Sequence, residues 1–195
     1  MFKRFFLKSS LLLLRKVFEF LSDKKHKKNN ISKNINSPTL FLGKGDISIS
    51  KEARLGVLNA PNYYFSYIHI EARNKNSKVV IKKGVYLSNS ITIISENSGI
   101  YISENVLIGH NVQIYDSDFH SIYKEERINN IMNYNFDCSV FIGKNSWVGA
   151  NTLILKGVKI GQNSVIAANS TVTKNIPDNS LFGGSPAKLI KKINN

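Results

Sequence analysis

Residues 142–177 read, in blocks of six, IGKNSW, VGANTL, ILKGVK, IGQNSV, IAANST and VTKNIP. Every block begins with an aliphatic residue, and a small residue usually follows it. An α-helix repeats about every 3.6 residues and a strand about every two, so neither produces this period. If three blocks form one turn of a three-sided coil, the leading aliphatic side chains all point inward and stack on one another. The segment therefore predicts a parallel β-helix.

The same repeat continues towards the N-terminus, with two interruptions. Its leading aliphatic positions there are Ile81, Leu87, Ile93, Ile102, Ile108 and Ile114. The nine residues from Ile93 to Ile102 indicate a bulged corner. The 28 residues from Ile114 to Ile142 are not a multiple of six, which predicts a loop inserted over residues 115–140. Long excursions from a regular scaffold often carry function, so we expect the chemistry of the protein in this loop.

The length and composition fit one globular domain with additions at both ends, since the chain has 195 residues and is 42% hydrophobic. We expect a basic amphipathic helical extension and linker over residues 1–40 and the β-helix over residues 41–178. A tail with a short C-terminal helix is expected over residues 179–195. The single cysteine, Cys138, cannot form an intramolecular disulfide or a Cys-rich metal site, which favours residence in the cytoplasm.

The N-terminal segment carries a concentrated positive charge. The formal net charge is +14, and residues 1–28 supply +7 of it, from nine lysines and arginines against two acidic residues. Two interpretations stay open: a helix packed on the β-helix or on a partner subunit, and a helix lying on the anionic inner face of the cytoplasmic membrane. The apolar run is too short to span a bilayer or to act as a secretory signal. Nucleic acid is not expected as a partner, because no aromatic platform or reading motif accompanies the charge.

Three stretches of the chain, Ile142–Asn151, Leu155–Lys174 and Gly183–Lys191, together resemble the signature of hexapeptide-repeat acyltransferases. They are similar to the branch that contains the maltose, galactoside and surface-polysaccharide O-acetyltransferases. The resemblance implies an all-β fold built on a left-handed parallel β-helix, a homotrimer, and acetyl-CoA bound as cosubstrate in a groove between neighbouring prisms. One departure is clear, because the family's usual Gly-Ala-Gly-Ser reads Ala-Ala-Asn-Ser at residues 167–170.

The resemblance also implies a set of residues that bind acetyl-CoA. They are Trp147, Ala150, Ala168, Thr173, Lys174, Lys188 and Lys191. The alanines match positions where a small residue lets the thioester arm approach the backbone. The lysines offer point charges to the phosphates of the nucleotide half. Trp147 either flanks the groove or fills a corner of the coil.

His120 resembles the catalytic histidine of the O-acetyltransferase branch, and it stands where the regular coil gives way to the inserted loop. An imidazole, with an ordinary pKa of about 6.5, can accept the proton of a sugar hydroxyl as that oxygen attacks a thioester. Asp118 or Asp116 could orient the ring through its second nitrogen, and a backbone carbonyl could do so equally well. For the acceptor, His110 points outward from a hexad, and Asn89 lies one residue before the position of the family's acceptor-binding asparagine.

The remaining histidines, His26 and His69, are expected to be structural or solvated. A zinc site like that of the trimeric β-helical carbonic anhydrases would need histidines beyond residue 120, where none occurs, so no metal is expected.

The expected activity is transfer of an acetyl group from acetyl-CoA to a sugar hydroxyl, in a bacterial surface polysaccharide or its precursor. The alternative is N-acetylation of a nucleotide-linked amino sugar, whose amine is a good nucleophile once it is unprotonated. A β-helix that serves only as a scaffold would not account for the basic tail that follows Pro186.

Overall fold

The computed structural model describes residues 2–23, 25–26, 34–96, 98–129, 131 and 137–194. Helix α1 spans Phe2–Leu21 and helix α2 spans Lys124–Ile128. The strands are β1 (Thr39–Leu42), β2 (Asp46–Ile49), β3 (Arg54–Leu55), β4 (Ile68–Ala72), β5 (Lys78–Ile81), β6 (Tyr86–Leu87), β7 (Thr92–Ser95), β8 (Ile100–Ile102), β9 (Leu107–Ile108), β10 (Gln113–Tyr115), β11 (Val140–Ile142), β12 (Trp147–Val148), β13 (Leu153–Ile154), β14 (Lys159–Ile160), β15 (Val165–Ile166), β16 (Thr171–Val172), β17 (Ser180–Gly183) and β18 (Lys188–Lys192).

The strands form the three faces of a prism. Sheet I contains β1, β4, β7, β10, β13 and β16; sheet II contains β2, β5, β8, β11 and β14; and sheet III contains β3, β6, β9, β12, β15, β17 and β18. The chain visits sheets I, II and III in turn, and successive strands within a sheet pair in parallel up to β17. We name the prism edges by the sheets that they join, as I–II, II–III and III–I. The β-helix predicted from the six-residue repeat is confirmed.

The leading residues of the hexads form the core of the prism. Those of the opening stretch are all at most 2% exposed: Ile142, Val148, Ile154, Ile160, Ile166 and Val172. They stack as predicted, because Ile114 pairs in register with Ile154, and Ile154 with Val172. The residue after each leading position is small because the next coil lies close to it. At Gly149, for example, a Cβ atom would lie 2.5 Å from the backbone nitrogen of Ala168.

Asparagines turn the chain at edge II–III. Asn105, Asn145, Asn163 and Asn179 all have positive φ, between 52° and 58°. Asparagine tolerates this left-handed conformation better than most residues do. Their side-chain amides also bond to one another up the edge, at 3.2, 3.1 and 3.0 Å. The corners are therefore stabilised by backbone preference and by a ladder of amides.

Two loops leave the prism, and the repeat predicted only one of them. The predicted insertion lies at edge I–II, between β10 and β11, and the predicted bulged corner lies at the same edge, between β7 and β8. The second loop, residues 56–67, leaves at edge III–I between β3 and β4. This loop precedes Ile81, where the recognisable six-residue repeat begins, so the repeat could not predict it.

Helix α1 and the residues after it close the N-terminal end of the prism. The Phe41 amide donates to the Ser22 hydroxyl at 3.0 Å, and the Asp23 amide donates to the Phe41 carbonyl at 3.0 Å. The Asp23 carboxylate also accepts a hydrogen bond from the Gly43 amide at 2.7 Å. These contacts satisfy backbone groups on the open edge of β1, which would otherwise be free to pair with another chain. Within one chain this segment therefore packs on the β-helix, and contact with a partner subunit or with a membrane stays a prediction.

The opposite face of α1 is apolar and exposed. Leu11 and Phe18 face the prism, and the Phe18 ring lies 4.7 Å from that of Tyr67. The exposed large apolar residues of α1 are Leu12, Leu13, Leu14, Val17, Phe20 and Leu21. In the part of the chain that the structure describes, no helix is long and apolar enough to cross a bilayer.

The C-terminal tail corrects the sequence prediction, because residues 179–195 do not contain the expected short helix in their described part. Strand β17 joins sheet III in parallel beside β15, and β18 turns back to pair with β17 in antiparallel fashion. The turn between them contains Gly184, whose φ of 99° favours glycine. The last coil leaves the backbone groups of β15 open, and pairing with the tail satisfies them.

Candidate active site

Four of the predicted binding residues lie above one another on edge III–I. Asn89, His110, Ala150 and Ala168 occupy equivalent positions in successive coils, and the carbonyls of the first three accept backbone hydrogen bonds from the next coil at 3.0, 2.9 and 2.9 Å. Ala150 and Ala168 carry only a methyl group, so the upper part of the edge is a narrow strip without large side chains. Such a strip fits the pantetheine arm of acetyl-CoA, which needs a straight wall of small residues.

Trp147 and the basic tail flank this strip on sheet III. Trp147 points outward from β12 and is 54% exposed, so it does not fill a corner. Lys188 and Lys191 lie on β18, both exposed, and Lys188 pairs in register with Gly183 near the end of the edge. Edge III–I therefore combines small residues, an aromatic side wall and positive charge at one end.

Asn89 is fully buried and supports the loop of residues 56–67. Its carbonyl oxygen accepts hydrogen bonds from the Ser37 hydroxyl at 2.8 Å and the Val57 amide at 3.0 Å. Its amino group donates to the carbonyls of Val57, Ala60 and Pro61 at 3.0, 3.2 and 2.9 Å. Every polar atom of this side chain is occupied by the chain itself. Direct contact between Asn89 and an acceptor, as the sequence predicted, does not fit this arrangement.

The remaining predicted residues lie on a different edge of the prism. Thr173 and Lys174 follow β16 at edge I–II, and both are exposed. The inserted loop that carries Asp118 and His120 leaves the same edge. One chain therefore does not bring all the predicted residues together, because they divide between edges III–I and I–II.

Hydrogen bonds to the Asp116 carboxylate attach the first residues of the insertion to the coil below. The Asp116 carboxylate, 2% exposed, accepts hydrogen bonds from the Ser95 hydroxyl at 2.7 Å and from the backbone amides of Glu96, Ser98 and Gly99 at 2.6, 3.1 and 2.6 Å. This carboxylate therefore ties the insertion to the bulged corner below it and is not directed at His120.

Asp118 forms an ion pair with Lys156, a residue that was not among the predicted site residues. Its carboxylate binds the Lys156 ammonium group, and this hydrogen bond raises the pKa of Lys156. Lys156 lies one coil above, after β13, and no sequence signal linked it to Asp118. Among the described residues, Asp118 binds Lys156 and not the imidazole of His120, so the predicted Asp118–His120 pair is not formed.

His120 stands exposed between two restrained segments. On its C-terminal side, Arg127 donates to the backbone carbonyls of Ser121 and Ile122 at 3.0 and 2.9 Å. These bonds tie α2 back to the residues that follow His120. His120 is thus exposed in the loop that leaves edge I–II, and hydrogen bonds hold the residues on either side of it. Three or more His, Cys, Asp or Glu side chains that could hold a metal ion do not cluster anywhere in the described ranges.

Comparison with known proteins identifies the family. The family described as bacterial transferase hexapeptide (six repeats) matches residues 139–174. Protein CapG of Staphylococcus aureus is 37% identical over 135 residues, which cover 65% of this chain and 77% of CapG. The chain therefore belongs to the hexapeptide-repeat transferases.

Two further relatives agree in fold and sequence. The galactoside O-acetyltransferase of Escherichia coli (strain K12) is 38% identical over 134 residues, 69% of this chain and 60% of that enzyme. The crystal structure of a maltose O-acetyltransferase from Clostridium difficile 630 superposes with a TM-score of 0.54 and 25% identity over 97% of this chain and 89% of that one. The fold is thus the left-handed parallel β-helix implied by the sequence resemblance. The chain spans between 51% and 60% of the galactoside O-acetyltransferases that it matches.

Proposed function

We propose that this protein transfers the acetyl group of acetyl-CoA to a hydroxyl group of a sugar. The observation that carries the proposal is the exposed His120 between segments that are held by hydrogen bonds, in a chain whose edge III–I has the small residues that the acyl donor requires. Relatives named as galactoside and maltose O-acetyltransferases support this activity.

His120 acts as the general base in this proposal. Its neutral imidazole accepts the proton of the acceptor hydroxyl while that oxygen bonds to the carbonyl carbon of the thioester. The carbon–sulfur bond breaks as the acetyl ester forms, and the proton passes from the imidazolium to the sulfur of CoA. Ala150 and Ala168 line the pantetheine arm beside Trp147, and Lys188 and Lys191 attract the phosphates.

Two protomers of a homotrimer complete each site. The predicted residues divide between edges III–I and I–II of one chain, so His120 cannot serve the edge III–I groove of its own protomer. A three-fold axis parallel to the prisms brings edge I–II of one protomer against edge III–I of the next. His120, Asp118, Thr173 and Lys174 then face the wall of small residues across the interface. Asp118 holds the loop through Lys156, and His110 lies on the acceptor side of the groove.

The proposed acceptor is a bacterial surface polysaccharide or its precursor. A polysialic acid O-acetyltransferase of Escherichia coli O1:K1 / APEC is 35% identical over 118 residues, which supports an acceptor of this chemical class. Its match covers 60% of this chain and 38% of that enzyme.

An acceptor panel tests the proposal. The protein is incubated with acetyl-CoA labelled in the acetyl group, together with oligosaccharides that offer only hydroxyls and with nucleotide-linked amino sugars. Label in base-labile esters of the oligosaccharides is the expected result. Label found exclusively in amides would replace O-transfer by N-transfer, and release of CoA without any acceptor product would reject both.

We also propose that the exposed face of α1 rests on an anionic membrane. The helix is anchored to the prism on one side and offers Leu13, Val17 and Leu21 on the other, within a segment that carries +7. Apolar burial at the lipid surface and attraction of lysines to anionic headgroups act together in such helices. In a trimer whose axis is parallel to the prisms, three copies of α1 lie at the same end and bind together. The enzyme would then work at the cytoplasmic face of the membrane.

A further inference from the structure

The segment before His120 is held by a group of side chains from three successive coils, at the end of sheet I that borders edge I–II. Glu71 and Arg73 come from the first of these coils, Glu96 from the second, and Ser117 and Phe119 from the third. They lie in the N-terminal part of the prism, outside the stretches that carry the family signature. We refer to them as the sheet I network.

Arg73 is the centre of this network. Its Nε and Nη2 atoms donate to both oxygens of Glu71, at 2.9 and 3.2 Å, and its Nη1 atom donates to Glu96 at 3.2 Å. The hydrogen bonds to Glu71 raise the pKa of Arg73. Burial alone would raise the pKa of the Glu71 carboxyl, but hydrogen bonds from Arg73 and His69 outweigh it, so that pKa is lowered. Both groups are charged at neutral pH, and the guanidinium plane is fixed by two carboxylates.

The fixed guanidinium plane is placed against the residue that precedes His120. The Arg73 Cζ atom lies 5.1 Å from the centre of the Phe119 ring, within the range of a cation–π interaction. Tyr115 packs on the same ring from its edge, with the ring centres 5.2 Å apart. Phe119 has a φ of 61°, a left-handed conformation that is uncommon for a bulky residue. Such a conformation persists only where the surroundings determine it.

A second connection leads from Arg73 to the same segment through Glu96. The Ser117 hydroxyl donates to Glu96, whose other oxygen accepts from Arg73. The Ser117 oxygen in turn accepts a hydrogen bond from the Phe119 amide at 2.9 Å. Arg73 therefore holds both the side chain and, through two intermediaries, the backbone of the residue next to His120.

We infer that Arg73 is a positioning residue for catalysis, which sets the place of the His120 imidazole through Phe119. This inference rests on the proposed function, because it requires that His120 act as the base. A displacement of about 1 Å in a reacting group can lower a rate a hundredfold. Removing the Arg73 guanidinium should therefore slow the reaction without weakening the binding of acetyl-CoA, because Arg73 acts on Glu71, Glu96 and Phe119, none of which is assigned to acetyl-CoA.

The test compares Arg73→Met with a matched control, Arg54→Met. Arg54 also lies over an aromatic ring of the prism, at 5.0 Å from the centre of the Tyr86 ring, but on sheet III and away from the insertion. We expect Arg73→Met to lower kcat between about tenfold and a hundredfold, with the KM for acetyl-CoA unchanged. Arg54→Met should retain the parental kcat. A parental kcat in Arg73→Met, or an equal loss in both variants, would overturn the inference.

A double variant distinguishes positioning from a general loss of structure. In a His120→Gln background the base is already absent, so adding Arg73→Met should not lower the residual rate further. An additional loss as large as that of Arg73→Met alone would show that Arg73 acts through folding and would reject the inference. If His120→Gln itself keeps the parental rate, the proposed base is rejected. A parental rate in Arg73→Met together with a slow His120→Gln variant would instead reject only the role of Arg73.

Discussion

His120 is the proposed general base, and it is an exposed side chain. Replacing it with glutamine keeps a similar size and removes the ability to accept and return a proton. We expect His120→Gln to lower kcat by about a hundredfold or more. The affinity for acetyl-CoA, measured by calorimetry, should stay near the parental value, because the groove of small residues is unchanged. A variant with parental kcat would remove His120 from the mechanism.

Asn163 stabilises the prism by its backbone conformation and by its side chain together. It has a φ of 54°, donates to Asn179 at 3.0 Å and accepts from Asn145 at 3.1 Å. Asn163→Gly loses the amide bonds but tolerates the backbone, whereas Asn163→Ala loses the bonds and adds about 1–2 kcal/mol of left-handed strain. Thermal unfolding should therefore rank the parent above the glycine variant and the glycine variant above the alanine variant.

Lys144 supplies the matched control for that ranking. It is an exposed neighbour of Asn145 at the same edge and is not among the residues with positive φ. There the order should reverse, with Lys144→Ala at least as stable as Lys144→Gly, because glycine loses more backbone freedom on folding. Equal rankings at both positions would contradict the role given to the left-handed corner.

Individual residues differ in how far the sequence could predict them. The buried positions of the hexads follow from their period alone, so Ile142 or Val172 could be placed in the core without a structure. Asn89 could not be assigned, because its partners Val57 and Pro61 belong to a loop that has no period. Asp118 was one of three candidates for orienting His120, beside Asp116 and a backbone carbonyl. Its partner in the structure, Lys156, is 38 positions away and becomes a neighbour only through the coil.

Among the elements, the strands of the regular repeat could be predicted from the sequence, whereas the elements at the ends of the chain could be predicted only in part. The coil, its insertion after Ile114 and the bulged corner after Ile93 all follow from spacing. The tail was expected to be helical, but the open edge of β15 offers backbone hydrogen bonds that a strand can use and a helix cannot. That edge exists only once the coils have stacked, so the local sequence does not reveal it.

Helix α1 is the element that we propose to bind a membrane, and vesicle flotation tests this proposal. The full-length protein should float with vesicles of phosphatidylcholine and phosphatidylglycerol and should remain in solution with phosphatidylcholine alone. Leu13→Ser combined with Val17→Ser should abolish flotation, because both side chains are exposed on the outer face of the helix. Binding should also weaken with salt, since charge contributes to it.

Ile190→Ser is the control for this experiment, because Ile190 is an exposed apolar residue on β18 at the other end of the prism. It should float like the parent. Equal flotation of the α1 variant and the control would remove the membrane proposal. If the α1 variant instead dissociates into monomers in light scattering, the outer face of α1 packs between protomers.

At the scale of the whole molecule, the division of the site between two edges is the central claim. One chain carries His120 at edge I–II and Ala168 at edge III–I. The family resemblance implied a groove between neighbouring prisms, but it did not say which edge of the prism each predicted residue occupies, because that depends on the corner of the coil at which the residue lies. If His120 serves edge III–I of the neighbouring protomer, as we propose, a monomeric variant should be inactive even when it is folded.

The most direct measurement uses mixed trimers. His120→Gln leaves edge III–I intact, and Ala168→Trp blocks that edge at an exposed position while leaving His120 intact. Each variant alone should keep at most about a hundredth of the parental activity. When both are co-expressed with different tags and purified through both, every mixed trimer pairs one intact His120 with one intact edge, so activity should return to about one third of the parental value per trimer. Mixed trimers that stay as inactive as the separate variants would contradict a site shared between neighbouring protomers.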